Sequence, residues 1–352
     1  MRYKLHGKSG LRVSELCLGA MTFGADWGWG GDDADSRAMF DAFAEAGGNF
    51  IDTAHVYTEG ASERLVGEFI RADRDHFVVA TKYTPSTGTD LSKSGNSRKN
   101  MRHCVEDSLK RLGTDYIDLY LLHFWDGTTP VEEIMRGLDD LVKAGKVLYV
   151  AVSDVPAWQI ARANMLAELR GWSPFIGMQV EYSLTERTAE RELIQMAEEL
   201  DMGVTAWSPL AQGVLAGKFN GNGNGTTEAT RVQREHIPAR SLEIAQLVVD
   251  IAREIGRSPS QVALAAIRQL RPAAGVIPII AGRNAAQVKD NLGCVDLVLD
   301  AVHLKALDEK TKVDPGFPYS MLSQDYVKDM AFGRGNWALV DNHRARRLGR
   351  AN

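Results

Sequence analysis

Residues 117–153 read IDLYLLHFWDGTTPVEEIMRGLDDLVKAGKVLYVAVS. Ile117–Leu122 is a nearly continuous apolar run of strand length, the pattern of a strand buried on both faces. Val131–Ala144 is amphipathic at helical spacing and stops at Gly145, after which Val147–Val152 is apolar again. Strand, helix and strand in this order make a parallel unit, because parallel neighbours need a long crossover. The rhythm extends in both directions. Further candidate strands are Leu16–Gly19, Asn49–Ala54, Phe77–Thr81, Ile176–Glu181, Gly203–Trp207 and Gly275–Ile279, eight in all. Amphipathic stretches Ser36–Ala46, Ser62–Ala72, Arg98–Leu112, Pro156–Leu169 and Thr188–Leu200 fill the other early gaps. Asp154 before Pro156, and Thr185 or Thr188, offer helix starts; Gly47, Gly113 and Gly171 offer stops. Eight such units predict an α/β fold, a (β/α)8 TIM barrel, ahead of an open doubly wound sheet with a cap.

The 352 residues would suit two domains at roughly 150 each, or one large barrel domain spanning residues 1–352. Three segments fall outside a minimal barrel. Residues 1–15 alternate around Gly7-Lys8-Ser9-Gly10 and predict a hairpin plugging the barrel bottom. Residues 217–232 are too rich in Gly, Asn and Thr to pack, and follow a strand end where loops are functional. Residues 313–352 form a tail ending in basic residues.

Hydrophobic residues at 44% and charged residues at 25% exclude a disordered or fibrous chain. A net charge of −5 argues against nucleic acid or an anionic membrane as partner. No apolar stretch suits a signal peptide or a membrane span, and the three scattered cysteines suit a reducing, cytoplasmic setting. The sequon at Asn224 is then only a Gly/Asn loop. Gly333–Ala338 matches a dinucleotide fingerprint without a following βαβ unit, and Gly213–Lys218 is one residue short of a P-loop. Neither is read as the motif it resembles.

In a barrel the informative residues sit at the C-terminal ends of strands. Asp52 and Tyr57 follow the second strand, Lys82 the third and His123 the fourth. With no Ser or Cys beside a base, the set suits proton transfer and calls for no metal. A phenol of pKa ~10 is a poor neutral acid–base group on its own. An ammonium at ~4 Å is worth about 4 kcal/mol at an effective dielectric of ~20, up to about 3 pKa units downward before desolvation opposes it. Asp52 would keep Lys82 charged, and His123 would orient a carbonyl oxygen.

The residues Leu18–Gly24, Phe50–Tyr57, Thr81-Lys82, Leu112–Asp118, Leu122-His123, Ala151–Asp154, Met178–Ser183 and Trp207–Gly213, with Gly282, Arg283, Gln287 and Asn291, resemble the aldo-keto reductase family over about residues 1–312. The resemblance implies that Asp52, Tyr57, Lys82 and His123 are the catalytic tetrad, with Tyr57 the general acid in carbonyl reduction. It implies a nicotinamide dinucleotide bound by Gly19 and Met21 of the first loop. Ser153, Asp154 and Gln179 would hold the carboxamide, and Trp207 the ring. Ser208, Pro209, Leu210, Gly213, Gly217 and Lys218 would strap the pyrophosphate, and Ala281, Gly282, Arg283, Gln287 and Asn291 would hold the adenosine end. Two positions depart from the family pattern: Asp154 stands where Asn is usual, and Trp207 where Tyr is usual. An ionised Asp accepts from an amide NH2 but cannot donate to its oxygen.

Arg283 opening a short helical stretch, 283–291, suits a phosphate monoester, which favours NADPH over NADH. Trp27, Trp29, His55, Phe124 and Trp125 would line an aromatic mouth that Phe317 and Tyr319 could close. The expected activity is an NADP-dependent oxidoreductase acting on a small carbonyl or alcohol, oligomeric or not. The alternative is a redox-sensing regulatory subunit like the potassium-channel β subunits, which share this fold and tetrad.

Overall fold

The computed structural model describes residues 1–28, 30–220 and 232–342. After an antiparallel hairpin, β1 (Tyr3–Leu5) and β2 (Arg12–Ser14), eight parallel strands close into a barrel. They are β3 (Cys17–Gly19), β4 (Phe50–Asp52), β5 (Val78–Tyr83), β6 (Ile117–Leu122), β7 (Val147–Ser153), β8 (Phe175–Glu181), β9 (Gly203–Trp207) and β10 (Ile277–Ile280). Strands pair in chain order, and β10 closes on β3 through Ile279 opposite Cys17. All eight expected strands are present, so the barrel is confirmed and the open sheet is excluded.

Side-chain alternation explains how the barrel builds its rim. Phe50, Val78, Ala80, Leu119, Leu121, Ala151, Ile176, Ile277 and Ile279 fill the interior. Their intervening neighbours, such as Ile51, Val79, Tyr120 and Val150, pack outward under the helices. A period of two then sends Asp52, Lys82 and His123, each two residues beyond an interior residue, to the inner face at the C-terminal rim.

The crossover helices are α1 (Asp33–Glu45), α2 (Ala61–Ile70), α3 (Arg98–Leu112), α4 (Val131–Lys143), α5 (Ala157–Arg170), α6 (Leu193–Leu200), α7 (Ala239–Ile255) and α8 (Pro259–Leu270). Helix α4 buries Val131, Ile134, Met135, Leu138 and Leu141, each contributing roughly 1.5–3 kcal/mol for a fully buried large side chain. Two expected starts are displaced. Pro156, not Asp154, precedes α5, and the Asp154 carboxylate turns toward the barrel mouth instead. Residues Thr188–Glu190 form a separate single turn, so α6 begins only at Leu193.

The hairpin does cover the barrel bottom. The His6 ring lies where a Cβ on Gly177 or Gly203 would come within 2.2 or 2.5 Å of it, so both positions require glycine. His6 also meets Phe50 edge-on at 5.6 Å, and Val13 joins the interior. Helices α9 (Ala285–Leu292) and α10 (Ala301–Thr311) complete the body. The tail adds α11 (Tyr319–Leu322) and α12 (Asp325–Phe332), neither with a buried residue. Trp29, most of the 217–232 loop including Asn224, and the basic tail end lie outside the described residues. Among the described residues no helix is long and apolar enough to cross a membrane, and no cluster of three or more His, Cys, Asp or Glu could hold a metal ion.

Candidate active site

The rim residues of β4, β5 and β6 meet in one hydrogen-bonded group. Lys82 is fully buried, and its Nζ donates to Asp52 Oδ2 at 2.6 Å, to the Thr53 carbonyl at 2.9 Å and to the Tyr57 hydroxyl at 3.1 Å. Asp52 Oδ1 accepts from Gln179 Nε2 at 2.8 Å. Strands β4 and β8 stand opposite each other in the ring of eight, so this bond spans the barrel. A buried ion pair is stable only when its remaining lone pairs and protons are satisfied, and here the Thr53 carbonyl and Gln179 do so.

Tyr57 is carried on a turn in which Thr58 and Glu59 take left-handed backbone, at φ 45° and 53°. That conformation costs of order 1–3 kcal/mol per non-glycine residue and persists where surrounding bonds enforce it. Thr58 Oγ1 donates to the Phe23 carbonyl at 2.7 Å and accepts from the Ser62 amide. Ser62 in turn donates to the Ala20 carbonyl at 2.6 Å, so the loops after β3 and β4 brace one another. Behind β5, Thr81 donates to the buried Glu63 of α2, which pairs with Arg111 of α3 at 2.6 Å.

The electrostatics correct one expectation. Lys82 does pull the Tyr57 phenol down, but burial is the larger influence and Asp52 adds to it, so the phenol lies above its ordinary value. The Lys82 ammonium is stabilised by Asp52 and Tyr57 beyond what burial costs it. His123 is pushed down to about 2, first by burial and then by Lys82 and His55, so its imidazole is neutral. Its ring meets Tyr57 edge-on at 5.8 Å, and its Nδ1 is buried with no hydrogen-bond partner.

The expected mouth residues divide. Trp27 meets the Tyr57 ring edge-on at 6.2 Å, and Phe124 is 42% exposed beside His123. Trp125 is partly buried against the core. His55 has a different occupation. It is 3% exposed, and its ring nitrogens each lie 2.9 Å from a main-chain oxygen, of Lys82 and of Pro85. It braces the end of β5 and is not a mouth wall. Phe317 is exposed, and the tail's start is tied at Asp314 to Arg191 before α6.

Among the residues expected to hold a dinucleotide, Ser153 ends β7, Asp154 follows it, Gln179 lies near the end of β8, and Trp207 ends β9. Ser153 Oγ donates to Asp154 Oδ2 at 3.2 Å, and Trp207 Nε1 donates to Asp154 Oδ1 at 3.1 Å. The 208–218 segment turns through left-handed backbone at Ser208, Ala211, Gln212 and Gly213. The Lys218 stem passes 3.7 Å from where a Gly213 Cβ would stand. Such strained, cation-flanked backbone is typical of ligand clamps. Gly19 ends β3 and Met21 lies in the turn that follows it. Gln287 and Asn291 shape the neighbouring turn, accepting from the Arg283 amide at 2.9 Å and donating to the Ala281 carbonyl at 3.1 Å. Asn284 caps α9, so Arg283 lies before that helix and not within its first turn. Neutral His123 with its unpartnered nitrogen, a partly open indole plate and this strap together fit a nicotinamide dinucleotide.

A barrel rim that gathers Asp52, Lys82, Tyr57 and His123 within hydrogen-bond and ring contact holds groups able to move a proton. The Aldo/keto reductase family profile matches residues 15–312. The norsolorinic acid reductase of Aspergillus flavus is 38% identical over 97% of this chain and 89% of its own. The NADP(+) aryl-alcohol dehydrogenase of Phanerodontia chrysosporium is 38% identical over 88% and 86%. A putative aryl-alcohol dehydrogenase of Saccharomyces cerevisiae is 35% identical over 90% and 88%. The chain belongs to the aldo-keto reductase family of oxidoreductases, enzymes that use nicotinamide cofactors.

Proposed function

We propose that this protein is an NADPH-dependent reductase that converts aryl aldehydes or ketones to alcohols, with Tyr57 as proton donor. The observation that carries the reading is the Tyr57 hydroxyl held 3.1 Å from a fully buried Lys82 ammonium. When bound, NADPH supplies the hydride to the carbonyl carbon. Ser153, Asp154, Gln179 and Trp207 would hold its ring end, the 208–218 strap its pyrophosphate, and Ala281–Arg283 with Gln287 and Asn291 its adenosine end.

The chain's own residues manage the proton. A phenol above its ordinary pKa is fully protonated near neutrality and ready to donate. As it gives its proton to the carbonyl oxygen, the developing phenolate faces the Lys82 ammonium, which Asp52 and Gln179 keep in place. His123, neutral, offers the same oxygen a hydrogen bond without adding charge. The reverse reaction must first remove the phenolic proton.

Trp27 and Phe124 beside Tyr57 and His123 support an aromatic substrate, as do relatives whose names denote aryl alcohols and norsolorinic acid. The NADP(+) in one relative's name and Arg283 before α9 support NADPH. One barrel domain over residues 1–352, with its hairpin, its 217–232 cofactor loop and its tail, would do this chemistry. Three buried free cysteines suit a reducing, cytoplasmic setting. The test is oxidation of NADPH and of NADH with a panel of aromatic and aliphatic aldehydes. Turnover favouring NADPH and aromatic substrates is expected. Tight cofactor binding without turnover of any aldehyde would contradict the reading and favour a redox-sensing role.

A further inference from the structure

The turn that carries Tyr57 is held from outside the barrel by one guanidinium. Arg111, in the last turn of α3, donates from Nε to Glu63 Oε2 at 2.6 Å and from Nη2 to the His55 carbonyl at 3.4 Å. Its Cδ stands 2.8 Å from where a Cβ on Gly60 would lie, and Gly60 has φ 88°, so the position favours glycine on both counts. Arg111 therefore meets the chain on both sides of Tyr57, at residues 55 and 60. Two arms run on from these contacts to Lys82. Glu63, fully buried, uses its other oxygen to accept from Thr81, the residue before Lys82, at 2.6 Å. His55 sets a ring nitrogen 2.9 Å from the Lys82 carbonyl and donates its amide to the same oxygen at 3.2 Å. Arg111, Glu63, Thr81, Lys82 and His55 thus form a closed frame around the turn. The turn needs such support, because Thr58 and Glu59 both take left-handed backbone.

We infer that Arg111 is a positioning residue: without touching a reacting atom, it sets the Tyr57 hydroxyl at hydrogen-bond distance from the Lys82 ammonium. This rests on the functional reading above, in which Tyr57 is the proton donor. The competing role is an ion pair that only fastens α3 to α2. A lysine at 111 separates the two. Its ammonium can pair with Glu63, yet it lacks the planar fork that reaches the His55 carbonyl at the same time.

Aromatic aldehyde reduction by NADPH, alcohol oxidation across pH and thermal melting of the full chain test this in the parent, Arg111→Lys and Tyr57→Phe. Arg111→Lys should melt close to the parent, because its pair with Glu63 is kept. Its kcat should fall about 10- to 100-fold, the scale of a small misplacement transmitted from outside the site, with aldehyde KM and NADPH affinity within about threefold of the parent's. The basic limb of oxidation should move to higher pH, because a longer gap to Lys82 weakens its pull on the phenol. A folded Arg111→Lys enzyme with kcat within about threefold of the parent's, or with an unshifted limb, overturns the inference and leaves a plain ion pair. Should Arg111→Lys not fold, Thr81→Val cuts the same frame at its far end. A lowered kcat at unchanged KM in that variant upholds the inference, and a parent-like kcat overturns it. Parent-like turnover in Tyr57→Phe overturns the functional reading, and the inference with it.

Discussion

Replacing Lys82 with Met removes one ammonium from a pocket that holds three of its acceptors, at 2.6, 2.9 and 3.1 Å. At the Tyr57 distance of 3.1 Å and an effective dielectric of ~20, the attraction between ammonium and phenolate is about 5 kcal/mol. Without that attraction the Tyr57 phenol rises further above its ordinary value. Burial and Asp52 already push the phenol up, so nothing in the variant opposes them. The variant should therefore lose alcohol oxidation at neutral pH by about 10²–10⁴-fold and regain part of it only in strong alkali. Initial rates of nicotinamide reduction across pH give the basic limb directly. Stability must be followed in parallel, because Asp52 is left buried with Gln179 alone, and breaking a buried pair costs about 3–5 kcal/mol. The double variant Asp52→Asn/Lys82→Met should melt higher than Lys82→Met while remaining inactive at neutral pH. A folded Lys82→Met enzyme with an unshifted basic limb would refute the role given to the ammonium.

Two further outcomes follow from groups away from the relay. Arg283→Ala should weaken NADPH by roughly 10- to 150-fold and leave NADH almost unchanged, the range for charge-assisted bonds to a phosphate; equal weakening of both, by fluorescence titration, would assign Arg283 to the loop alone. Burial pushes His6 down to about 4, so its contribution is complete above the unfolded value of ~6.5 and is lost as pH falls toward 4. Between pH 7 and 5 the parent should lose about 2 kcal/mol more than His6→Gln in urea unfolding, and equal losses would show that the ring takes up a proton without opening the barrel.

The barrel and most of the site are legible in the sequence because a strand repeats every two residues. Once Phe50, Ala80 and Leu121 are interior, Asp52, Lys82 and His123 must share that face at the rim. The same parity places Gln179 inward through Gly177. Its bond to Asp52 was nevertheless not legible, because it requires knowing which strands stand opposite in a closed ring. Pattern alone also could not give the sign of the Tyr57 shift, which depends on how completely the hydroxyl is withdrawn from water. His55 reads as a mouth residue from its place on a rim loop, but the carbonyls of Lys82 in β5 and Pro85 just after it capture its ring. Asp154 reads as a helix start because Pro156 follows, yet its carboxylate is taken by Ser153 at the end of the same strand and by Trp207 at the end of β9, two strands away. In each case a contact distant in sequence outweighs the local signal.

The central claim is that Tyr57 gives the proton while hydride comes from the reduced nicotinamide. It is tested most directly by incubating the parent and Tyr57→Phe with NADPH deuterated at the transferring position and an aromatic aldehyde, then weighing the alcohol. The parent should deliver one deuterium to the carbonyl carbon. Tyr57→Phe should bind NADPH with nearly the parent's affinity yet form labelled alcohol about 10²–10⁴-fold more slowly, the usual contribution of a positioned general acid. Labelled alcohol formed by Tyr57→Phe within about threefold of the parent's rate, or product from the parent without deuterium, would contradict the account.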